Sequence, residues 1–236
     1  MKQVKTDREE MLAVAAHELR GPITAILGCV HLLEKEALGA QARRSLEIIR
    51  RSAMTQTRLI EDLLDQSRIA GGALRIRREL VDVLALAEEI VDALRPTAEK
   101  RDIEIFVRSE GPATTCADPQ RLRQVLHNLL TNALNYSPLG SRVDLEIMAT
   151  EDQVVTRVRD SGIGISPAFL PHVFERYRRE ERSMVNGLGL GLTIAHEIVE
   201  LHGGSLTAES AGEGQGSTFT LVLPTFDEPC ANVASG

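Results

Sequence analysis

The sequence predicts an α-helical hairpin that pairs into a dimeric four-helix bundle, followed by an α/β sandwich with a mixed sheet and helices on one face. Three observations predict it. Apolar residues keep a heptad rhythm over the first third of the chain, and strand-like and helix-like runs alternate over the rest. The charge also changes sign at the join. Residues 1–78 hold 14 basic and 10 acidic side chains, leaving 13 and 24 for residues 79–236, so +4 stands against −11. The whole chain of 236 residues carries −7 and is 43% hydrophobic, enough to bury a core in each part.

The first helix is expected over about 7–37. Ala16, Leu19, Ile23, Ile26, Val30 and Leu33 alternate spacings of three and four, which draws an apolar seam along one helical face. Gly39 stops it. The rhythm resumes at Leu46, Ile49, Ala53, Gln56, Ile60 and Leu63, until Gly71-Gly72 ends the second helix. Two helices with one apolar stripe each cannot enclose a core, so a second hairpin, making a homodimer, or the chain's own C-terminal module must cover them. Gly21-Pro22 breaks the local rule. Proline leaves the Glu18 carbonyl without its helical donor, and a kink is expected just after His17-Glu18.

Beyond the linker, helical patterns cover about 82–98, 118–135 and 189–201. Strand-like runs fall at 103–108, 143–149, 154–159, 205–209 and 218–223. Neighbouring strands 143–149 with 154–159, and 205–209 with 218–223, read as antiparallel hairpins. The expected domains are a hairpin over 1–70, a linker over 71–80, an α/β module over 81–224 and a loose tail over 225–236.

Composition excludes several classes. Five Phe, two Tyr and no Trp disfavour stacking platforms for bases, and the acidic balance disfavours bulk nucleic-acid binding. Cys29, Cys116 and Cys230 are too few and scattered for a disulfide framework or a zinc knuckle, which favours a reduced cytoplasmic setting. The opening residues MKQVKTDREE hold no apolar signal core.

Four constellations carry chemistry. His17-Glu18 lies one position past the seam, so the imidazole points outward with a carboxylate able to hold one ring nitrogen's proton. HELRG lacks the second histidine of a zinc-protease motif. Asn128, Asn132 and Asn135 share one face of the 118–135 helix; the face is either solvated or a neutral ligand set for Mg²⁺ and phosphate. DSGIGI over 160–165 is either an ordinary turn or a place where Asp160 accepts from an exocyclic amine, with Gly162 and Gly164 allowing close approach to a ring. GLGLGL over 187–192 sets glycines where a helix begins, an anion site made of backbone N–H groups. Before it, ERYRREERSMVN suits a lid over phosphates.

In this order, HELRGPI, NLLTNALNYS, DSGIGI, FERYRR and NGLGLGL resemble the phosphoacceptor, Asn, first Gly, Phe and second Gly boxes of bacterial sensor histidine kinases, over roughly residues 7–224. The resemblance implies a Bergerat-type ATP-binding fold with ATP and Mg²⁺ as cofactors. It implies that Asn132 ligates Mg²⁺, that Asn128 lies near the phosphates, and that Asp160 reads adenine between Gly162 and Gly164. Asn135, Tyr136 and Ser217 would complete the nucleotide site. Gly187, Leu188, Gly189, Leu190 and Gly191 would close over the phosphates, with Phe174 anchoring the lid and Arg179 following its box. His17 would take the γ-phosphoryl group, with Glu18 as orienter and base, and pass it to an aspartate on a response-regulator receiver domain. The implied partners are that receiver and a second copy of the chain, with no nucleic acid. A membrane would enter only through a sensor region outside these residues. Two positions depart from the family: Gly21 stands where phosphatase-competent members carry Thr, Asn or Gln, and Asn135 where many carry Lys. An ATPase of the same fold without phosphotransfer, and a non-catalytic dimeric scaffold, are the competing functions.

Overall fold

A computed structural model describes residues 19, 21–36, 38–178, 180, 189–225 and 230. The chain divides into two compact units, Met1–Leu74 and Arg75–Gly236.

The described part of the first unit is two helices, α1 over 21–33 and α2 over Ala40–Ala70. Pro22 stands within helical backbone, while the expected kink after His17-Glu18 falls outside the described residues. Gly71 caps α2, and Gly72 follows with φ of 63°, a left-handed turn that suits glycine. Ile23, Ala53, Ile60 and Leu64 form a small core with Leu27 against it. The seam is only half buried within one chain. Ile23, Val30, Leu46, Ala53 and Ile60 are buried, seven residues apart along each helix, whereas Leu19, Ile26, Leu33 and Ile49 are 44–53% exposed.

The second unit contains β1 (Glu79–Asp82), α3 (Val83–Glu99), β2 (Glu104–Glu110), β3 (Thr114–Ala117), α4 (Pro119–Tyr136), β4 (Arg142–Ala149), β5 (Gln153–Asp160), α5 (Gly191–Leu201), β6 (Ser205–Glu209) and β7 (Ser217–Pro224). Five strands make a mixed sheet in the order β2-β4-β5-β7-β6, with β2 parallel to β4 and every other pair antiparallel. Its inward residues Val143, Leu145, Ile147 and Leu221 are buried, as are Leu126, Leu129, Leu130 and Leu134 of α4 and Ile194 and Ile198 of α5. Aliphatic residues thus fill the core, as the scarcity of aromatics requires. β1 and β3 form a separate antiparallel pair that the sequence does not announce. Four residues each, with no clear alternation, they are too short for a periodic signal.

Two expectations need correction. Cys116 and Cys230 are joined as a disulfide, with Cα atoms 6.0 Å apart, and only Cys29 is a free thiol among the described residues. The tail is therefore not loose throughout. The Thr115 hydroxyl donates to the Pro224 carbonyl at 2.6 Å, Thr225 is held by Asp152 and Glu151, and Cys230 is buried. β3 lies beside the end of β7, so two cysteines 114 residues apart meet in space. Spacing along a chain carries no trace of that.

Candidate functional site

The asparagine helix α4 starts on Asp118, whose Oδ1 accepts from the N–H groups of Gln120 and Arg121. Proline at the first helical position needs no donor there. At the other end Arg101 donates to the Leu134 and Ser137 carbonyls, closing the helix C-terminus with a cation. Leu122, Val125, Leu126, Leu129, Leu130, Ala133 and Leu134 face the core. Asn128 and Asn132 lie half-buried on another side, and Asn135 is exposed one turn on. The Asn128 amide donates to the Gly191 carbonyl at 3.0 Å, so the asparagine face meets the first residue of α5.

α5 begins without any side-chain cap, from Leu190, which is 1% exposed, after Gly189 with φ of 69°. Among the described residues its first backbone N–H groups thus lack the usual side-chain cap, the arrangement that receives phosphate. Thr193, in the first turn, carries a buried hydroxyl with no partner among the described residues. Asn132, half-buried one turn beyond Asn128, has a carboxamide oxygen to offer a ligand. Among the described residues no group of three or more His, Cys, Asp or Glu side chains could hold a metal ion. A metal here would rely on an amide oxygen, nucleotide phosphates and water, a donor set of hard oxygens that suits Mg²⁺.

The third component is the loop after β5. Asp160, 6% exposed at the strand end, accepts from Gly162 N–H at 2.8 Å and Ser217 N–H at 3.3 Å on Oδ1, and from the Ser217 hydroxyl at 2.5 Å on Oδ2. Burial raises its pKa above the ordinary carboxylate value, opposed by the bonds from Ser217 and Gly162. A second lone pair on Oδ2 is left to accept from an amine. Glycine is obligatory at 162: a Cβ there would lie 2.5 Å from the Tyr136 carbonyl oxygen and 2.7 Å from Asp160 Oδ1. Gly164, with φ of 68°, would press a Cβ into the Gly212 backbone. Ile163 N–H donates to Tyr136 O at 3.2 Å, which fastens this loop to the last turn of α4.

Phe174 packs against α5 and β7. Its ring packs on His196 of α5 at 4.9 Å and edge-on to Phe219 of β7 at 6.4 Å. Arg176 pairs with Glu197 of α5 at 2.5 Å, and Glu180 accepts from Ser166 N–H. The structure therefore brings together Asn128 with Gly191, Tyr136 with Gly162, and Asp160 with Ser217, and it sets Phe174 against α5. Asn135 joins none of these. His17, Glu18, Arg179, Gly187 and Leu188 lie outside the described residues. Sequence reading misses Arg101, Ser210 and His202. Ser210 Oγ accepts from Ile165 N–H and donates to Gly216 O, bracing the glycine loop. Nothing in the sequence separates His202 from the other histidines.

Fold and site define a helical hairpin unit and an α/β unit with an uncapped helix start of the kind that receives phosphate. Residues 7–72 match the family described as the His Kinase A (phospho-acceptor) domain, and residues 117–227 match the histidine kinase-, DNA gyrase B- and HSP90-like ATPases. The chain belongs to the sensor histidine kinases and carries their catalytic core. It is 32% identical over 94% of its length to the circadian input-output histidine kinase CikA of Thermosynechococcus vestitus, and 33% identical over 94% to the sensor histidine kinase WalK of Bacillus subtilis. It spans 32% and 37% of those relatives, about a third of their length. Full-length ShkA in complex with AMPPNP superposes at a TM-score of 0.74 with 30% identity, over 93% of this chain and 47% of that one. The mycobacterial sensor histidine kinase MprB superposes at 0.57 with 30% identity, over 63% of this chain and 97% of its own.

Proposed function

We propose that the protein is an ATP-dependent protein histidine kinase that phosphorylates His17 and passes the group to an aspartate on a response-regulator receiver domain. The observation that carries this reading is the Asn128–Gly191 contact, which sets a face of amide ligands against an uncapped helix start. Adenine would be read by Asp160 through its exocyclic amine, while the first turn of α5 takes the phosphates. Asn132 would hold Mg²⁺, which neutralises charge between phosphate oxygens when bound. The free ring nitrogen of His17 attacks the γ-phosphorus, an N–P bond forms, the bond from phosphorus to the bridging oxygen breaks, and ADP leaves. Glu18 orients the imidazole and accepts the proton on its other nitrogen. Phe174 anchors the lid, and Arg179, Gly187 and Leu188 belong to it.

Exposure of Leu19, Ile26, Leu33 and Ile49 supports a homodimer, because an apolar stripe of that size gains by burial against its own copy. No helix among the described residues is long and apolar enough to cross a membrane. The cytoplasmic face of a longer sensor is the setting that suits this core.

Incubation with γ-labelled ATP and Mg²⁺ is expected to give acid-labile, base-stable label on the chain, and His17→Gln to abolish it. Label that survives the substitution would overturn His17 as the acceptor. Steady ATP turnover with no phosphoprotein would overturn the kinase reading in favour of an ATPase.

A further inference from the structure

We infer that His202 is a positioning residue for nucleotide binding: it joins the C-terminal end of α5 to the N-cap of α4 and so holds the asparagine face against the glycine-rich start of α5. The inference rests on the kinase reading above, because it concerns the site that reading assigns.

His202 is 2% exposed and both its ring nitrogens are engaged. Nε2 lies 2.9 Å from the backbone nitrogen of Asp118, and Nδ1 lies 2.8 Å from the Ile198 carbonyl oxygen. An N–H can only donate and a carbonyl can only accept. Nδ1 therefore carries the proton and Nε2 is the bare acceptor, which fixes one neutral tautomer. Burial lowers the imidazole's pKa, and the Arg78 charge acts in the same direction against the Ile198 bond and the Asp118 charge. Arg78 and Asp118 are the charged groups acting on the ring, from the segment before β1 and from the N-cap of α4.

A second tie turns this contact into a frame. α4 and α5 are joined again where the Asn128 amide meets the Gly191 carbonyl. From Asp118 to Asn128 is ten residues, and from Gly191 to His202 eleven, so the two ties are separated by about 15 Å along each helix. One tie permits a pivot; two at opposite ends prevent the helices from sliding or splaying. The Asn128 tie sits at the phosphate end, and the His202 tie fixes the remote end. The same knot gathers the chain that enters this unit: Arg77 N–H donates to Asp118 Oδ2 at 3.0 Å, and Arg78 Nη2 donates to Leu201 O at 3.3 Å.

The test compares two side chains that divide the ring's two functions. His202→Asn keeps a donor near the Nδ1 position but cannot reach Asp118. His202→Gln extends an acceptor to where Nε2 stood. Affinity for a fluorescent non-hydrolysable ATP analogue with Mg²⁺ is measured on the whole chain, and amide hydrogen exchange is followed over 118–125 without nucleotide. His202→Asn is expected to bind about fivefold or more weaker and to exchange faster over that turn, because the Asp118 N–H loses its acceptor. His202→Gln is expected to stay within about twofold of the parent in affinity, with exchange restored. A role confined to packing would lower stability in both variants without separating their affinities. Equal affinities for the two variants, or weaker binding by His202→Gln, would overturn the inference. Failure of the parent chain to bind the analogue would overturn the kinase reading itself, a result the variants cannot produce.

Discussion

At the scale of single residues, environment decides what identical chemistry does. Asp160 and Asp62 are both carboxylates whose pKa values burial raises, but their remaining partners differ and so do the consequences. Asp160 is held by three hydrogen bonds that aim one oxygen into the site. Asp62, on α2, is pushed up to about 6 chiefly by burial, then by the nearby Asp65 and Glu61, with Arg58 opposing. A carboxyl whose folded pKa lies above its unfolded value of 3.8 stabilises the fold below that value and loses the contribution as pH rises through about 6. At neutral pH it opposes folding of the hairpin. Asp62→Asn is therefore expected to raise the thermal midpoint at pH 7, by the equivalent of about 1 kcal/mol, and to make little difference near pH 3.5. Calorimetry of parent and variant across that range checks the sign.

At the scale of elements, each piece is specified by more than its periodicity. α4 has its apolar stripe, an acidic N-cap and a basic residue over its last carbonyls, so it forms where the sequence expects it. In the hairpin, residues seven apart are buried while the interleaved set Leu19, Ile26, Leu33 and Ile49 is exposed. A strict heptad seam offers two sets of apolar positions, and one antiparallel partner covers only one of them here. Placing a charge in the exposed set should act on association rather than on the fold of the second unit. Ile26→Glu with Ile49→Glu is expected to convert the proposed dimer to a monomer in sedimentation equilibrium. The sheet's near-ultraviolet signal and the nucleotide affinity should be unchanged.

At the scale of the whole molecule, contacts between distant parts of the sequence complete the second unit. The Cys116–Cys230 bond closes a loop across 114 residues and pins the chain beyond β7 to the β1–β3 pair. A loop of that length restricts the unfolded chain by about 4–5 kcal/mol in the chain-entropy account. Reduction, or Cys116→Ser, is expected to lower the urea midpoint of the second unit by a large fraction of its value. Cys29→Ser, at an exposed free thiol, should leave it unchanged. An unaltered midpoint on reduction would remove the bond from the account of stability.

The long elements were legible because they are periodic. α4, α5 and the four antiparallel strands β4, β5, β6 and β7 lie close to the expected spans, as do the glycines that permit tight approach at 162 and 164. β1 and β3 were not legible, since four residues carry no period. Asn135 shows the limit within the site. It shares a helical face with Asn128 and Asn132, yet stands exposed one turn beyond the contact with α5. Face membership follows from spacing, but which part of a face meets a neighbour depends on where that neighbour ends.

The sequence by itself determined the two modules, the order of their motifs and the groups proposed to meet a nucleotide. These follow from local rules, spacing and side-chain chemistry that need no neighbour. Only the tertiary structure decided that His202 bridges two helices, that Arg101 caps α4 and that Cys116 meets Cys230. Each joins residues more than thirty positions apart, and such a contact depends on how the intervening chain folds back, which no local pattern encodes.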